Sequence, residues 1–173
     1  MKNLVILGAG TAGTMMANHM HHTLKSPEWQ IHIIDEREEH HYQPGYLFLP
    51  FDIYTPEDII KKIEDFIPKE VILTRHTINR IIPAENRIEL TNEKSIPYDV
   101  LIIATGAKIA PEETEGMKGA EWQQSVFDFY TFEGALALRN KLRNWTGGKL
   151  LVHITEMPIK CPVAPLEFSF LAD

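Results

Sequence analysis

Only one cysteine, Cys161, occurs among the 173 residues. That excludes an internal disulfide framework and leaves open a partner thiol that the chain itself lacks. Long apolar runs are missing too, and none approaches the roughly 20 residues that a membrane-crossing helix needs. Positive charge is scarce, with 17 Lys and Arg against 24 Asp and Glu and a formal net charge of -7. Nothing electrostatic therefore favours a nucleic-acid partner. The N-terminus lacks the build of a signal peptide, because Met1-Lys2-Asn3 runs straight into Leu4-Val5-Ile6-Leu7 and a glycine turn. A cytoplasmic location is the expectation. Internal repeats and low-complexity tracts are absent as well. What remains is an ordinary globular composition, 44% hydrophobic and 24% charged, in a length that suffices for one well-cored domain with some chain to spare.

Residues 3–7 read as a short buried strand leading into Gly8-Ala9-Gly10-Thr11-Ala12-Gly13. Helical spacing follows at Met16, Met20 and Leu24, broken by Ser26-Pro27. Residues 31–34 supply the next strand, closed by Asp35-Glu36-Arg37-Glu38, so the whole is a βαβ unit of about 30 residues. Thr55-Pro56-Glu57-Asp58 has the marks of a helix start: threonine at the N-cap, proline at the first position, carboxylates in the first turn. That helix is expected to reach about Phe66 and to stop before Pro68. Strand-like runs at 71–82, 87–90 and 99–103 suggest a small β-meander and a further sheet strand, with Pro83-Ala84-Glu85-Asn86 and Thr91-Asn92-Glu93-Lys94 as turns.

Residues 110–121, rich in Pro, Gly and Glu, look like a crossing between domains. Beyond them Ala135, Leu138, Leu142 and Trp145 line one face of a helix that Gly147-Gly148 is expected to stop. Arg139, Lys141 and Arg143 read as its exposed face. Residues 149–154 read as a strand, and Pro165 is well placed to open another helix. The expected fold class is α/β. Residues 1–115 form a Rossmann-like domain with a parallel sheet, βαβ units and a small meander, and residues 116–173 begin a second Rossmann-like domain.

Gly8, Gly10 and Gly13 match the dinucleotide fingerprint in its required setting, after a strand and before a helix. The first glycine permits the tight turn, the second lets the backbone approach a pyrophosphate, and the third lets helix and strand pack closely. The helix N-terminus faces the phosphate charge. Asp35 follows the last glycine by about twenty residues, where a carboxylate accepts hydrogen bonds from a ribose diol. The motif alone does not separate FAD from NAD. A second signal, Tyr98-Asp99-Val100-Leu101-Ile102-Ile103-Ala104-Thr105-Gly106, is similar to the second flavin-domain motif of the pyridine-nucleotide-disulfide-reductase superfamily. The pair points to FAD.

Relatives that draw electrons from NADH or NADPH carry a second glycine loop after the first strand of their second domain. Here residues 155–165 contain no glycine and three prolines, Pro158, Pro162 and Pro165. Without glycine the backbone is kept from a second pyrophosphate, and each proline removes an N–H donor. A nicotinamide cofactor is not expected there. The loop carries Cys161 instead. A lone cysteine is often a small buried hydrophobe. A redox thiol is the rival reading, because a helix start near Pro165 and the neighbouring Lys160 would favour the thiolate.

Ile159-Lys160-Cys161-Pro162-Val163-Ala164-Pro165 resembles the K-C-x-x-A-P segment around one of the two redox cysteines of the sulfide:quinone oxidoreductase family. His41-Tyr42-Gln43-Pro44-Gly45, Phe132-Glu133-Gly134-Ala135 and Gly147-Gly148-Lys149 also resemble stretches of that family, so the likeness spans the chain. In the family, sulfide attacks a cysteine disulfide beside the flavin and leaves a persulfide. The released thiolate passes two electrons to FAD, and quinone receives them. The resemblance implies a catalytic Cys161 facing the flavin ring. It implies an FAD site of Gly8, Gly10, Thr11, Ala12, Gly13, Asp35, Glu36, Pro44, Ala104, Thr105 and Gly106. It also implies sulfide and quinone as substrates and a peripheral contact with the membrane through the family's C-terminal half, and it leaves homo-oligomer formation open. The second redox cysteine, the last flavin-contacting segment and the quinone site belong to that C-terminal half. The chain therefore reads as an N-terminal part that would not turn over by itself.

His19, His21, His22, His40 and His41 lack a completing carboxylate or cysteine and read as solvated positions, with no metal expected. Glu36, Glu38 and Glu39 also read as a solvated turn. Two other classes stay open. One is a flavoprotein delivering electrons elsewhere, as in flavocytochrome c sulfide dehydrogenases or type II NADH dehydrogenases. The other is a non-catalytic nucleotide-binding remnant.

Overall fold

Leu4, Val5, Ile6 and Leu7 are four consecutive apolar residues, and a strand made of them needs cover on both faces, since side chains alternate between faces. In the computed structural model, which describes residues 1–24 and 27–173, they lie in β1 (Lys2–Leu7) and all four are buried. The glycine turn gives way to α1 (Thr11–Thr23), and the chain returns as β2 (Trp29–Asp35), parallel to β1 from Lys2↔Trp29 to Leu7↔Ile34. Leu4 and Ile6 join Ile31 and Ile33 in a cluster with Ala17 of α1, and Met16, Met20 and Leu24 pack against it. The expected helical face is therefore the observed one. Of the expected break, Pro27 follows the helix and Ser26 lies outside the described residues.

Next come β3 (Glu39–His41), the single-turn helix α2 (Pro56–Ile59) and β4 (Ile60–Lys62), which pairs antiparallel with β3. The helix expected from Thr55 to about Phe66 thus stops after one turn. Its start is held by Asp58, since the Thr55 N–H and hydroxyl donate to Asp58 Oδ2 at 2.8 and 2.9 Å, which is one half of a capping box. Its continuation fails for a tertiary reason. Ile59, Ile60 and Ile63 are β-branched and gain little from a helix, and residues 60–62 find a ladder partner in β3. Ile63 opens a 3-10 turn and is fully buried in the cluster beneath α1.

Beyond it β5 (Ile72–Arg75) adds to β2 in parallel. An antiparallel meander follows, β6 (Ile78–Ile82), β7 (Arg87–Leu90) and β8 (Ser95–Pro97). Finally β9 (Val100–Ile103) pairs parallel with β1, so the sheet runs β5-β2-β1-β9. The run 71–82, expected as one strand, is split at His76-Thr77, with one half in each sheet. Ile88 and Leu90 of the meander pack with Val5, Leu7 and Ile34. The alternate residues of β1 are therefore covered by α1 on one face and by the meander on the other.

These elements, α2 apart, make one compact unit, Met1–His41 with Ile60–Gly106; the second is Tyr42–Ile59 with Ala107–Asp173. In the second unit Leu47, Leu138 and Phe168 form the core, with Phe48, Phe51, Phe127, Phe129 and Leu142 around them. Helix α3 (Phe132–Arg143) buries Gly134, Ala135 and Leu138. Arg139 is not the exposed residue expected, because it is largely covered and pairs with Asp52, as Arg143 does. Nor does the helix run to Gly147. The Asn144 and Trp145 N–H groups donate to the carbonyls of Lys141 and Leu142, each at 3.2 Å, which closes the last turn early.

Residues 149–154, expected as a strand, have extended sequence character but no ladder, and Leu151 is 79% exposed. Among the described residues the second unit holds no strand for them to pair with, and a strand exists only through a partner. Helix α4 (Ala164–Ala172) follows, beginning one residue ahead of Pro165 and burying Ala164, Pro165 and Phe168.

Candidate functional site

The Gly8–Gly13 loop joins the carboxyl end of β1 to the N-terminus of α1, where α/β folds place ligands. Gly8 has φ +93°, and a Cβ there would overlap the Ala104 carbonyl and lie 3.0 Å from the Thr105 Cα. A Cβ on Gly13 would overlap the Gly8 carbonyl oxygen. Both positions demand glycine, because the obstructing atoms are backbone. Gly10 differs: its φ is -72°, and the nearest atom to a Cβ would be Arg37 Nη2 at 3.9 Å. Space lies open above it. Gly10 is also the N-cap of α1 and offers no capping side chain, and the first turn carries no acid. Thr11 and Ala12 are exposed. The N–H groups at this helix end therefore have neither a side-chain cap nor an acidic neighbour in the turn, which suits an anion.

Three chain segments, all within the first unit, hold this loop. The Gly8 N–H donates to the Ile34 carbonyl and the Ala104 N–H to the Leu7 carbonyl, each at 2.8 Å. This brings Ala104-Thr105-Gly106 against the glycine turn. Asp35 completes the support. Its Oδ2 accepts the Ala9 N–H at 2.7 Å and Arg37 Nη2 at 3.0 Å, and its Oδ1 accepts the Arg37 N–H at 2.9 Å and Arg37 Nε at 3.1 Å. Burial pushes this carboxyl up, but the Arg37 guanidinium and the Ala9 and Arg37 N–H groups outweigh it and hold Asp35 below its ordinary value. Four donors fill the acceptor capacity of one carboxylate. Glu36 is exposed and accepts the Thr77 hydroxyl at 2.7 Å.

In the second unit Cys161 is half-buried and unpaired as a thiol. Its carbonyl accepts the Tyr130 hydroxyl at 2.9 Å, and burial, with Cys161 adding to it, pushes that hydroxyl's pKa up. Lys160 donates to Gln43 Oε1. Pro44 is exposed in the 3-10 turn Gln43–Leu47. Of the histidines, His40 Nδ1 lies 3.2 Å from the Ala9 carbonyl and His21 pairs with Glu70 at 3.6 Å. Among the described residues no three His, Cys, Asp or Glu side chains gather as a metal would require.

The family model for pyridine nucleotide-disulphide oxidoreductases matches residues 2–153. The chain belongs to that family. Over 171 residues it is 26% identical to the mitochondrial sulfide:quinone oxidoreductase of Dictyostelium discoideum, a match covering 98% of this chain and 38% of that protein. With a type II NADH:quinone oxidoreductase of Staphylococcus aureus it shares 26% identity over 124 residues, 70% of this chain and 30% of that one. The solved sulfide:quinone oxidoreductase of Aquifex aeolicus superposes with a TM-score of 0.67 at 26% identity, over 83% of this chain and 32% of that chain. The chain thus spans well under half the length of these relatives.

Members of the pyridine nucleotide-disulphide oxidoreductase family are FAD-binding flavoproteins with Rossmann-like domains, and FAD is the cofactor. The loop fits it. A cradle with room over Gly10, a helix end without an acid, and a backbone segment closing from Ala104 are what a diphosphate needs. The sequence reading found the glycines, Asp35 and the Ala-Thr-Gly turn, and the structure brings these together. It passed over Arg37 and read His40 as solvated, whereas Arg37 braces Asp35 and the half-buried His40 lies against the Ala9 carbonyl. Arg37 left a readable signal, since a residue two places after an aspartate at a strand exit closes an Asx-turn.

Proposed function

We propose that the chain supplies the FAD-binding part of a sulfide:quinone oxidoreductase. The observation that carries this reading is the extent of the likeness. The match to the Dictyostelium sulfide:quinone oxidoreductase takes in 98% of the chain, against 70% for the NADH:quinone oxidoreductase, and so includes the segment around Cys161. In this reading Gly8, Gly10 and Gly13, with the N–H groups of Thr11 and Ala12, receive the diphosphate. Asp35 and Glu36 stand on the ribose side, and Ala104, Thr105 and Gly106 close over the nucleotide. FAD supplies two-electron redox chemistry when bound. Residues 1–115 form its domain, and residues 116–173 begin the second.

Cys161 is the catalytic residue of this proposal. Sulfide attacks a disulfide between Cys161 and a second cysteine, which must come from outside this single-cysteine chain. The S–S bond breaks, one sulfur keeps the incoming atom as a persulfide, and the other leaves as a thiolate bearing the electron pair destined for quinone. A lipid-soluble acceptor implies work at a membrane surface, and among the described residues no helix is long and apolar enough to cross one.

Two measurements test this. The chain should take up FAD, seen as flavin absorbance that survives desalting. In a protein that combines this chain with the second cysteine, Cys161→Ser should abolish sulfide-dependent reduction of a soluble quinone under anaerobic conditions while FAD content is kept. Serine matches the shape but forms neither disulfide nor persulfide. Substantial retained turnover would mean that Cys161 is only structural.

A further inference from the structure

The exit of β2 reads Asp35-Glu36-Arg37-Glu38-Glu39, four carboxylates around a single cation. A ribose diol tolerates such a setting, whereas a diphosphate carries two negative charges and is repelled by it. Yet this acidic run leaves the sheet beside the glycine loop, and Arg37 is its one cation and stands next to Gly10. Its Nη2 is the atom nearest the open space over Gly10, at 3.9 Å from where a Cβ would stand. The guanidinium is held there by Asp35 through Nε at 3.1 Å and Nη2 at 3.0 Å, while its side chain remains 49% exposed. Asp35 in turn is anchored on the loop by the Ala9 N–H at 2.7 Å. Loop, carboxylate and guanidinium form one continuous hydrogen-bonded unit that ends in a half-exposed guanidinium paired with Asp35.

We propose that Arg37 is a diphosphate-anchoring residue of the nucleotide site, and that Asp35 acts through it as a positioning residue for Arg37 and for the glycine loop. The sequence pattern suggested a carboxylate facing the ligand; the geometry turns that carboxylate inward and offers a cation. A planar guanidinium braced on one side by a carboxylate loses little freedom when it meets a phosphate on the other. It is also the one cation of the run 35–39 that can offset part of the negative charge of Glu36, Glu38 and Glu39 near the incoming anion. Glu38, Glu39 and His41 border the same shallow depression as Arg37, so charge at this rim is otherwise mostly negative.

This inference rests on the FAD reading of the glycine loop, and ADP and adenosine serve as probes that separate the two. Calorimetric titration of the chain should give tighter binding for ADP than for adenosine, with the ADP affinity falling as salt rises. Arg37→Ala should weaken ADP roughly ten- to hundredfold, the value of one charged hydrogen bond, and flatten the salt dependence while adenosine stays within about twofold. Arg37→Gln keeps a donor for Asp35 and removes only the charge, so it should lose the ADP preference even if the alanine variant folds poorly. ADP preference that survives in both variants, or equal weakening of ADP and adenosine, overturns the role of Arg37. A wild-type chain that binds neither ADP nor adenosine overturns the FAD reading itself.

Discussion

At the scale of single residues the three fingerprint glycines are alike in sequence and unlike in physics. Gly13 faces the Gly8 carbonyl oxygen, a backbone atom that cannot swing away, whereas Gly10 faces open space with an ordinary negative φ. Gly13→Ala should therefore destabilise the chain by roughly 3 kcal/mol or more, as overpacking against fixed atoms does. Gly10→Ala should change stability by less than about 1 kcal/mol yet impair ADP binding, because a methyl group intrudes where the diphosphate belongs. Urea denaturation and ADP titration of the two variants check this, and equal stability losses would contradict it. That all three positions are glycine was legible in the sequence. The fingerprint already separates a packing glycine from a ligand-facing one, whereas the atoms that obstruct Gly8 and Gly13 were not readable, because they come from the loop's own return and from Ala104, far along the chain. Asp35 shows the same limit, since its place at the strand end was readable and its inward direction was not.

At the scale of elements, α3 shows how local chemistry can fix a boundary. Asp128 Oδ1 accepts the N–H groups of Tyr130 and Thr131 at 3.0 and 2.7 Å and the Thr131 hydroxyl at 2.9 Å. The Thr131 Oγ1 accepts the Gly134 N–H at 3.0 Å as the N-cap. Thr131→Ala should cost about 1 kcal/mol, the usual loss of a capping threonine, and Thr131→Ser should restore most of it. Thermal unfolding of the two variants decides, with no loss in the alanine variant counting against the cap. Elements governed by such short-range signals, α1 and the start at Thr55 among them, could be read from sequence. Those governed by distant partners could not. The 71–82 run divides because its halves pair with different sheets, the 55–66 segment turns strand-like where β3 offers a ladder, and residues 149–154 remain unladdered for want of a neighbour.

At the scale of the molecule, residues 1–173 offer one glycine loop in the strand-to-helix setting of a dinucleotide site. Residues 155–165 carry no glycine, and their three prolines withhold three N–H donors. Flavin bound to the chain should consequently not be reduced by NADH or NADPH, and rapid anaerobic bleaching of its absorbance band would show that a nicotinamide site exists after all. The parallel pairing of β1 with β9 has a consequence of another kind, for the order in which the protein is made. Leu7 and Gly8 meet Ala104 across nearly a hundred residues of chain. A ribosome adding about 5–20 residues per second needs on the order of ten seconds to bridge that interval. During it, β1, α1 and β2 are already outside while the strand that closes the glycine turn is still unwritten. The glycine turn is thus translated well before the strand that closes it, and a nascent chain should gain nucleotide only once β9 has emerged.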